Sequence, residues 1–129
     1  MTILYVDDDL DDRQIFEEAI SAIDKRHVCL TAQDGIDALS YLSEGKFPDI
    51  IFLDINMPLM DGRACLSEIR TNKETAHIPV IMFTTSNNPE DRTKCEHLGA
   101  TDFFLKPFSY PEMKKILATV LVTTKIQLH

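Results

Sequence analysis

Apolar residues in this chain fall into short continuous runs and longer stretches with helical spacing, in regular alternation. Residues 3–6 are an apolar run that ends in acid and read as a strand. Residues 10–24 carry Ile15, Phe16, Ala19, Ile20 and Ile23 on one helical face, with Asp11 and Asp12 suited to the positive helix N-terminus. Residues 27–32 alternate, with Val28 and Leu30 on one side, as a strand does. Asp34 caps a helix carrying Ile36, Leu39 and Leu42 that stops near Gly45. Ile50–Leu53 is wholly apolar, the mark of a strand covered on both faces. Asp61 caps a helix with Cys65, Leu66 and Ile69, and residues 80–83 form another apolar strand. Asn88-Pro89-Glu90-Asp91 opens a helix with a capping residue followed by proline, and Gly99 ends it. Asp102–Leu105 is a strand. Ser109-Tyr110-Pro111-Glu112 is a capping box before a last helix with Met113, Ile116, Leu117, Val120 and Leu121.

Strand then helix, five times, calls for an α/β fold with a parallel sheet and helices on both faces. The length of 129 residues excludes a closed eight-stranded barrel. What remains is an open, doubly wound, five-stranded parallel sheet of flavodoxin-like (βα)5 type, with strand order 2-1-3-4-5. The same length predicts a single domain over residues 1–129 with no effector domain. Lys plus Arg number 13 and Asp plus Glu 21, a net charge of −8, which argues against direct contact with nucleic acid or anionic membrane. No apolar run approaches the roughly 20 residues of a membrane helix. The start meets acid at once, unlike a signal peptide. Cys29, Cys65 and Cys95 form no CxxC pair, so reduced thiols and a cytoplasmic location are expected.

In such a sheet ligands sit beyond the carboxyl ends of the strands. Strand 1 ends in Asp7-Asp8-Asp9, strand 3 in Asp54, strand 4 in Thr84-Thr85-Ser86 and strand 5 in Lys106-Pro107. Exposed loops explain any one of these but not acids, a threonine and a lysine on four neighbouring strands. Two carboxylates about 4 Å apart repel by roughly 4 kcal/mol at an effective dielectric of 20. Lys106 offsets part of that charge, and a hard divalent ion, Mg²⁺ or Mn²⁺, would offset more. The pattern suits a carboxylate, a metal and a phosphoryl group.

Ile3-Leu4-Tyr5-Val6-Asp7-Asp8-Asp9, the Asp54-Ile55-Asn56-Met57-Pro58-Leu59-Met60-Asp61-Gly62 segment, Ile81-Met82-Phe83-Thr84-Thr85 and Lys106-Pro107-Phe108 together closely resemble the receiver domain of two-component response regulators, of the stand-alone type. The resemblance runs from about residue 3 to about residue 122. It implies that Asp54 is the phosphoacceptor, taking its group from a phosphohistidine of a sensor histidine kinase or phosphotransfer protein. It implies Asp8 and Asp54 as side-chain Mg²⁺ ligands, the Asn56 backbone carbonyl as a third, and Asp7 as a ligand through water. Lys106 pairs with the acceptor and then with a phosphoryl oxygen. Thr84 turns inward to the phosphoryl group, and Phe103 changes rotamer with it. The face of helix 4, strand 5 and helix 5 responds, for partner binding or a phosphorylation-dependent homodimer. Such a protein is no enzyme beyond its own phosphorylation and dephosphorylation. The family's Lys-Pro bond is usually cis, and Lys106-Pro107 is expected to follow. Asp61-Gly62-Arg63 and Thr84-Thr85-Ser86-Asn87 look like receivers served by phytochrome-type or hybrid kinases.

Other features read more plainly. Asp9, Asp11 and Asp12 are helix-start acids. Asp7-x-Asp9-x-Asp11 with Glu18 has calcium-loop spacing, but Asp12 stands where glycine is required. His27, His77, His97 and His129 lack ligand spacing, and Lys114, Lys115 and Lys125 form a solvated face. Asn56 and Ser86 flank the site, and Thr85 narrows its entrance. Helix 4, residues 90–98, is very polar and expected to be easily displaced. Phe104 faces the core. Leu117, Val120, Leu121 and Val122 exceed what one buried face needs, and residues 123–129 follow the last helix. A dehalogenase-type phosphatase would want an acid where Asn56 stands. A flavin carrier would want a Ser/Thr/Gly-rich loop where the acids follow strand 1.

Overall fold

The structure is a computed structural model; it describes residues 1–128, with side chains through residue 125. His129 lies outside the described residues. The chain runs β1 (Thr2–Val6), α1 (Leu10–Ile23), β2 (Val28–Ala32), α2 (Gly35–Ser43), β3 (Ile50–Leu53), α3 (Gly62–Thr71), β4 (Val80–Thr84), α4 (Pro89–His97), β5 (Asp102–Leu105) and α5 (Tyr110–Leu128). The five strands are all parallel, in the order β2-β1-β3-β4-β5. The expected fold class and order are thus observed.

Period-two alternation within buried strands divides the core into two layers. Leu4, Val6, Ile51, Leu53, Val80, Met82 and Phe103 pack with Ala38, Leu42, Cys65, Leu66, Ile69 and Cys95 from α2, α3 and α4. Ile3, Tyr5, Ile50, Phe52, Ile81 and Phe83 pack on the other face with α1 and α5, and Phe104 lies against this layer. Burial pushes the Cys65 thiol up to about 12 and the Cys95 thiol up to about 11, so neither is a reactive thiolate at neutral pH.

The caps are the ones the sequence marks. Asp34, Asp61 and Asn88 each accept a backbone N–H from the first turn of their helix, and Ser109 Oγ accepts from Glu112 N at 3.4 Å.

Four expectations are corrected. Ile15, Val28 and Ile36 face solvent, at 39%, 53% and 50% exposure. β2 is an edge strand, and α1 and α2 each press a narrower stripe on the sheet than their full apolar set. The last helix does not end near Val122 but continues to Leu128. Thr123 and Thr124 stay helical by donating their hydroxyls to the carbonyls four residues back, at 3.0 and 2.8 Å. Leu117, Val120 and Leu121 are all buried, leaving Val122 as the outward residue of that group. Finally, no peptide bond is cis among the described residues, so Lys106–Pro107 is trans. Lys106 N donates to Thr84 O at 2.7 Å, holding the strand pairing one residue past β5. The chain then reaches the Ser109 cap in the ordinary trans form, the more stable isomer by about 0.5–1 kcal/mol.

Candidate functional site

The β-ladder itself sets the acids side by side. Asp7 N donates to Ala32 O and Asp54 N to Val6 O, each at 3.0 Å, so both residues continue their strands by one step. Asp7 is 1% and Asp54 6% exposed, whereas Asp8 faces solvent. One carboxylate oxygen from each of the three lies within 4.8 Å of the others. Lys106 Nζ reaches back over the sheet to Asp7 Oδ2 at 2.5 Å, Asp12 Oδ2 at 3.1 Å and Asp54 Oδ2 at 3.2 Å. Asp54 Oδ1 accepts from Ile55 N at 2.7 Å.

Electrostatics follow from this packing. Burial raises the Asp54 carboxyl above the ordinary carboxylate range, against the pull of Lys106 and of the Thr84 hydroxyl. Burial opposes the charge on Lys106, but the hydrogen bond to Asp7 and the charges of Asp54 and Asp7 prevail and hold the ammonium firmly protonated. Tyr5 OH donates to Asp7 Oδ2 at 2.5 Å, and burial followed by the Asp7 charge keeps that phenol neutral.

Three carboxylate oxygens with no nitrogen or sulfur among them form a hard donor set that fits Mg²⁺ or Mn²⁺. The calcium-loop spacing has no counterpart in space: Asp9 and Asp11 are outside the acidic group among the described residues. Asp9 instead caps α1, accepting from Asp12 N at 3.0 Å.

The remaining predicted residues lie on β4, on β5 and in the loops after β3 and β4. Thr84 is fully buried at the end of β4, and its Oγ1 accepts from Ser86 N at 3.2 Å. Asn56 is exposed two residues past Asp54, and Thr85 is exposed at the rim. Phe103 is buried, with the Arg92 guanidinium carbon 5.8 Å from its ring centroid. The loop after Asp54 is held shut at Gly62, whose N–H donates to Ile55 O at 2.8 Å. A Cβ on Gly62 would lie 2.1 Å from Asp54 O, so only glycine allows the approach.

Asp12 is more than a helix-start acid, because it contacts Lys106. Its spacing from Phe16, one turn on, was the available signal, since both face the sheet. Tyr5 was legible in the same way: residues i and i+2 of a strand share a face, and Asp7 follows Tyr5 by two. Ser86 Oγ donates to Asp91 Oδ2 at 2.5 Å, and Arg63 links Asp91 (3.5 Å) with Asp61 (3.4 Å). The Arg63–Asp91 contact joins α3 to α4 across 28 residues and carries no local signature. His27 meets the Met1 amino group at 3.1 Å, and His77 and His97 are exposed, with no ligand cluster around them among the described residues.

Comparison with known proteins gives this geometry its context. A family model described as the response regulator receiver domain matches residues 3–118. The chain is 37% identical over 122 residues to a probable transcriptional regulator ycf27 of Guillardia theta, covering 95% of this chain and 46% of that protein. It is 30% identical over 121 residues to the response regulator Rcp1 of Synechocystis sp., covering 89% of this chain and 82% of Rcp1. The chain spans about half or less of the length of several relatives it matches. Among solved structures, the Mn²⁺-bound form of Rcp1 superposes with a TM-score of 0.83 at 29% identity, covering 92% of this chain and 90% of that one. The phosphorylated cyanobacterial phytochrome response regulator RcpA gives 0.85 at 29% identity, covering 92% and 89%. No helix among the described residues is long and apolar enough to cross a membrane. The fold, the acidic group at the strand ends and the match over residues 3–118 agree: the chain belongs to the response regulator receiver domain family.

Proposed function

We propose that this receiver domain is a phosphoacceptor switch in which Asp54 takes a phosphoryl group from a phosphohistidine of a sensor histidine kinase or phosphotransfer protein. The observation that carries the reading is the Lys106 ammonium bridging Asp7 and Asp54 beside three carboxylates within 4.8 Å. An Asp54 oxygen attacks phosphorus, an acyl phosphate P–O bond forms, the P–N bond breaks, and the imidazole leaves with its electron pair and takes a proton. Phosphoryl transfer depends on positioning and charge neutralisation rather than covalent help.

Asp8 and Asp54 would hold Mg²⁺ or Mn²⁺ by side chain, with the Asn56 carbonyl as a third ligand and Asp7 acting through water. Held there, the ion would supply charge neutralisation during the transfer. The Mn²⁺-bound and phosphorylated states of the two structural neighbours support both assignments. Lys106 steadies Asp54 before transfer and a phosphoryl oxygen after it. Thr84 gives up its bond to Ser86 N and donates its hydroxyl to the phosphoryl group, with Phe103 repacking behind it.

The response is read on α4, β5 and α5. α4 suits displacement, since Cys95 is its one buried residue among those described. The output is partner binding or self-association from a cytoplasmic location, with no direct contact to nucleic acid. The chemistry of the chain is limited to its own phosphorylation and dephosphorylation. Acetyl phosphate with Mg²⁺, read by intact mass, tests this. A single phosphoryl adduct that is absent in Asp54→Asn is expected. Folded wild type that takes up no phosphoryl group at any Mg²⁺ concentration overturns the reading.

A further inference from the structure

Both oxygens of Asp7 are occupied. Oδ1 accepts from Asp9 N at 3.0 Å, while Oδ2 accepts from Lys106 Nζ and from the Tyr5 hydroxyl, each at 2.5 Å. Tyr5 is 1% exposed, and its ring stacks on Phe16 with centroids 4.0 Å apart and planes 6° from parallel. Packing alone does not call for a hydroxyl here, because phenylalanine would fill the same space. Lys106 divides its N–H donors among Asp7, Asp12 and Asp54. With all three donors committed, an oxygen of a phosphoryl group on Asp54 competes for the ammonium with its closest partner, Asp7. A buried carboxylate oxygen stripped of its only donor is strongly unfavourable. Tyr5 keeps a donor on Oδ2 whether or not the lysine stays, and by sharing that oxygen it weakens the hold on the lysine.

We propose that Tyr5 is a positioning residue for phosphoryl capture: its hydroxyl stays on Asp7 Oδ2 and so frees Lys106 to shift from Asp7 to a phosphoryl oxygen on Asp54. This rests on Asp54 being the acceptor.

The test uses Tyr5→Phe, which keeps the stacked ring, and Phe16→Leu, which removes the stack but keeps the hydroxyl. Binding of beryllium fluoride in the presence of Mg²⁺, a non-reacting phosphoryl mimic, is measured by calorimetry beside Mg²⁺ alone. Tyr5→Phe is expected to bind the mimic about tenfold more weakly and to slow phosphorylation at saturating acetyl phosphate by a similar factor. Its Mg²⁺ affinity stays within about twofold of wild type, since Lys106 remains on Asp7 until the phosphoryl group arrives. Phe16→Leu keeps near wild-type affinity for the mimic. Unchanged affinity in Tyr5→Phe, or equal loss in both variants, overturns the proposal.

A second readout needs no substitution. When Lys106 departs, Tyr5 becomes the remaining donor on Oδ2, so wild type shows a red shift of tyrosine near-UV absorption on binding the mimic. Absence of that shift also overturns it. Wild type that neither binds the mimic nor takes up phosphoryl removes the phosphoacceptor reading and this inference together. Wild type that does both while Tyr5→Phe is unaffected removes this inference alone.

Discussion

Lys106 Nζ lies 2.5 Å from Asp7 Oδ2, closer than the 3.2 Å that separates it from Asp54 Oδ2, the proposed acceptor. The lysine therefore rests most closely on Asp7 rather than on Asp54 and acts as the shared counter-ion of the three acids. Lys106→Met would leave Asp7, Asp12 and Asp54 without that cation. Removing one partner of a buried pair costs about 3–5 kcal/mol. Metal-free Lys106→Met should thus unfold at markedly lower temperature than wild type. Added Mg²⁺ should raise its melting temperature by more than it raises that of wild type, because the ion replaces part of the missing charge. Thermal melts with and without Mg²⁺ measure this, and coincident metal-free melts would contradict it.

The raised pKa of Asp54 has a signed consequence for stability. A carboxyl whose folded pKa lies above its unfolded value, ordinarily about 3.9, favours the folded state only when protonated. Its charged form destabilises the protein at neutral pH, and the penalty fades as pH falls through the folded pKa toward the unfolded one. Burial is the main cause, opposed by Lys106. Asp54→Asn should therefore be more stable than wild type in metal-free buffer at pH 7, and the difference should shrink as pH approaches 4. Urea unfolding of both proteins across that range reads the trend. A gap that widens on acidification would show the opposite shift.

The sequence discloses this site unevenly, and the reasons are physical. Asp7, Asp54, Thr84 and Lys106 are legible because apolar runs in parallel strands must end in polar residues at one edge. Asp34, Asp61, Asn88 and Ser109 are legible because capping is a local act of one side chain on its own helix. Asp12 depends on how α1 rolls onto the sheet, with a partner 94 residues away, whereas Tyr5 meets Asp7 only two residues on along the same strand face. Periodicity would have placed each on the correct face without revealing the contact. Ile36 and Val28 mislead for the opposite reason: their apolar character fits the pattern, but about half of each residue stays exposed. The trans Lys106–Pro107 bond was not legible, since the turn after β5 is closed by the Lys106–Thr84 backbone contact and the Ser109 cap.

Gly62 fixes the loop beyond Asp54 by direct backbone contact. A methyl group there would meet Asp54 O at 2.1 Å and Ile55 Cα at 2.8 Å, both backbone atoms that cannot swing aside. Gly62→Ala should force α3 away from the end of β3. The expected cost is about 1–3 kcal/mol, the range for overpacking a tight site. Because the displaced atoms belong to Asp54, the proposed acceptor, phosphorylation by acetyl phosphate should slow even below the melting transition. Gly45→Ala is the control, since a Cβ there meets nothing within 4 Å and its cost comes from a φ of +79° alone. Equal phosphorylation rates in the two variants would show that the Gly62 contact does not govern the acceptor.

Arg70 clasps the opposite edge of the sheet, where β4 and β5 begin. Its guanidinium donates to Gly99 O at 2.8 Å, Ile78 O at 2.7 Å and Ala76 O at 3.2 Å, joining α3 to the segments that lead into both strands. Gly99, with φ of +99°, turns its carbonyl into this fork without a side chain in the way. Hydrogen bonds from a charged donor contribute roughly 1.5–3 kcal/mol each, less what water returns to partly exposed carbonyls. Arg70→Met should therefore lose about 2–3 kcal/mol of stability. Arg70→Lys should recover little, because a single ammonium cannot span three carbonyls held by a planar fork. The proposed phosphoryl site lies at the other ends of the strands, so the phosphorylation rate well below the melting temperature should match wild type. Urea midpoints paired with acetyl phosphate kinetics test both halves. A variant as stable as wild type would show that the clasp adds nothing, and a slowed reaction in stable protein would mean that strain at the strand starts reaches Asp54 through β3 and β4.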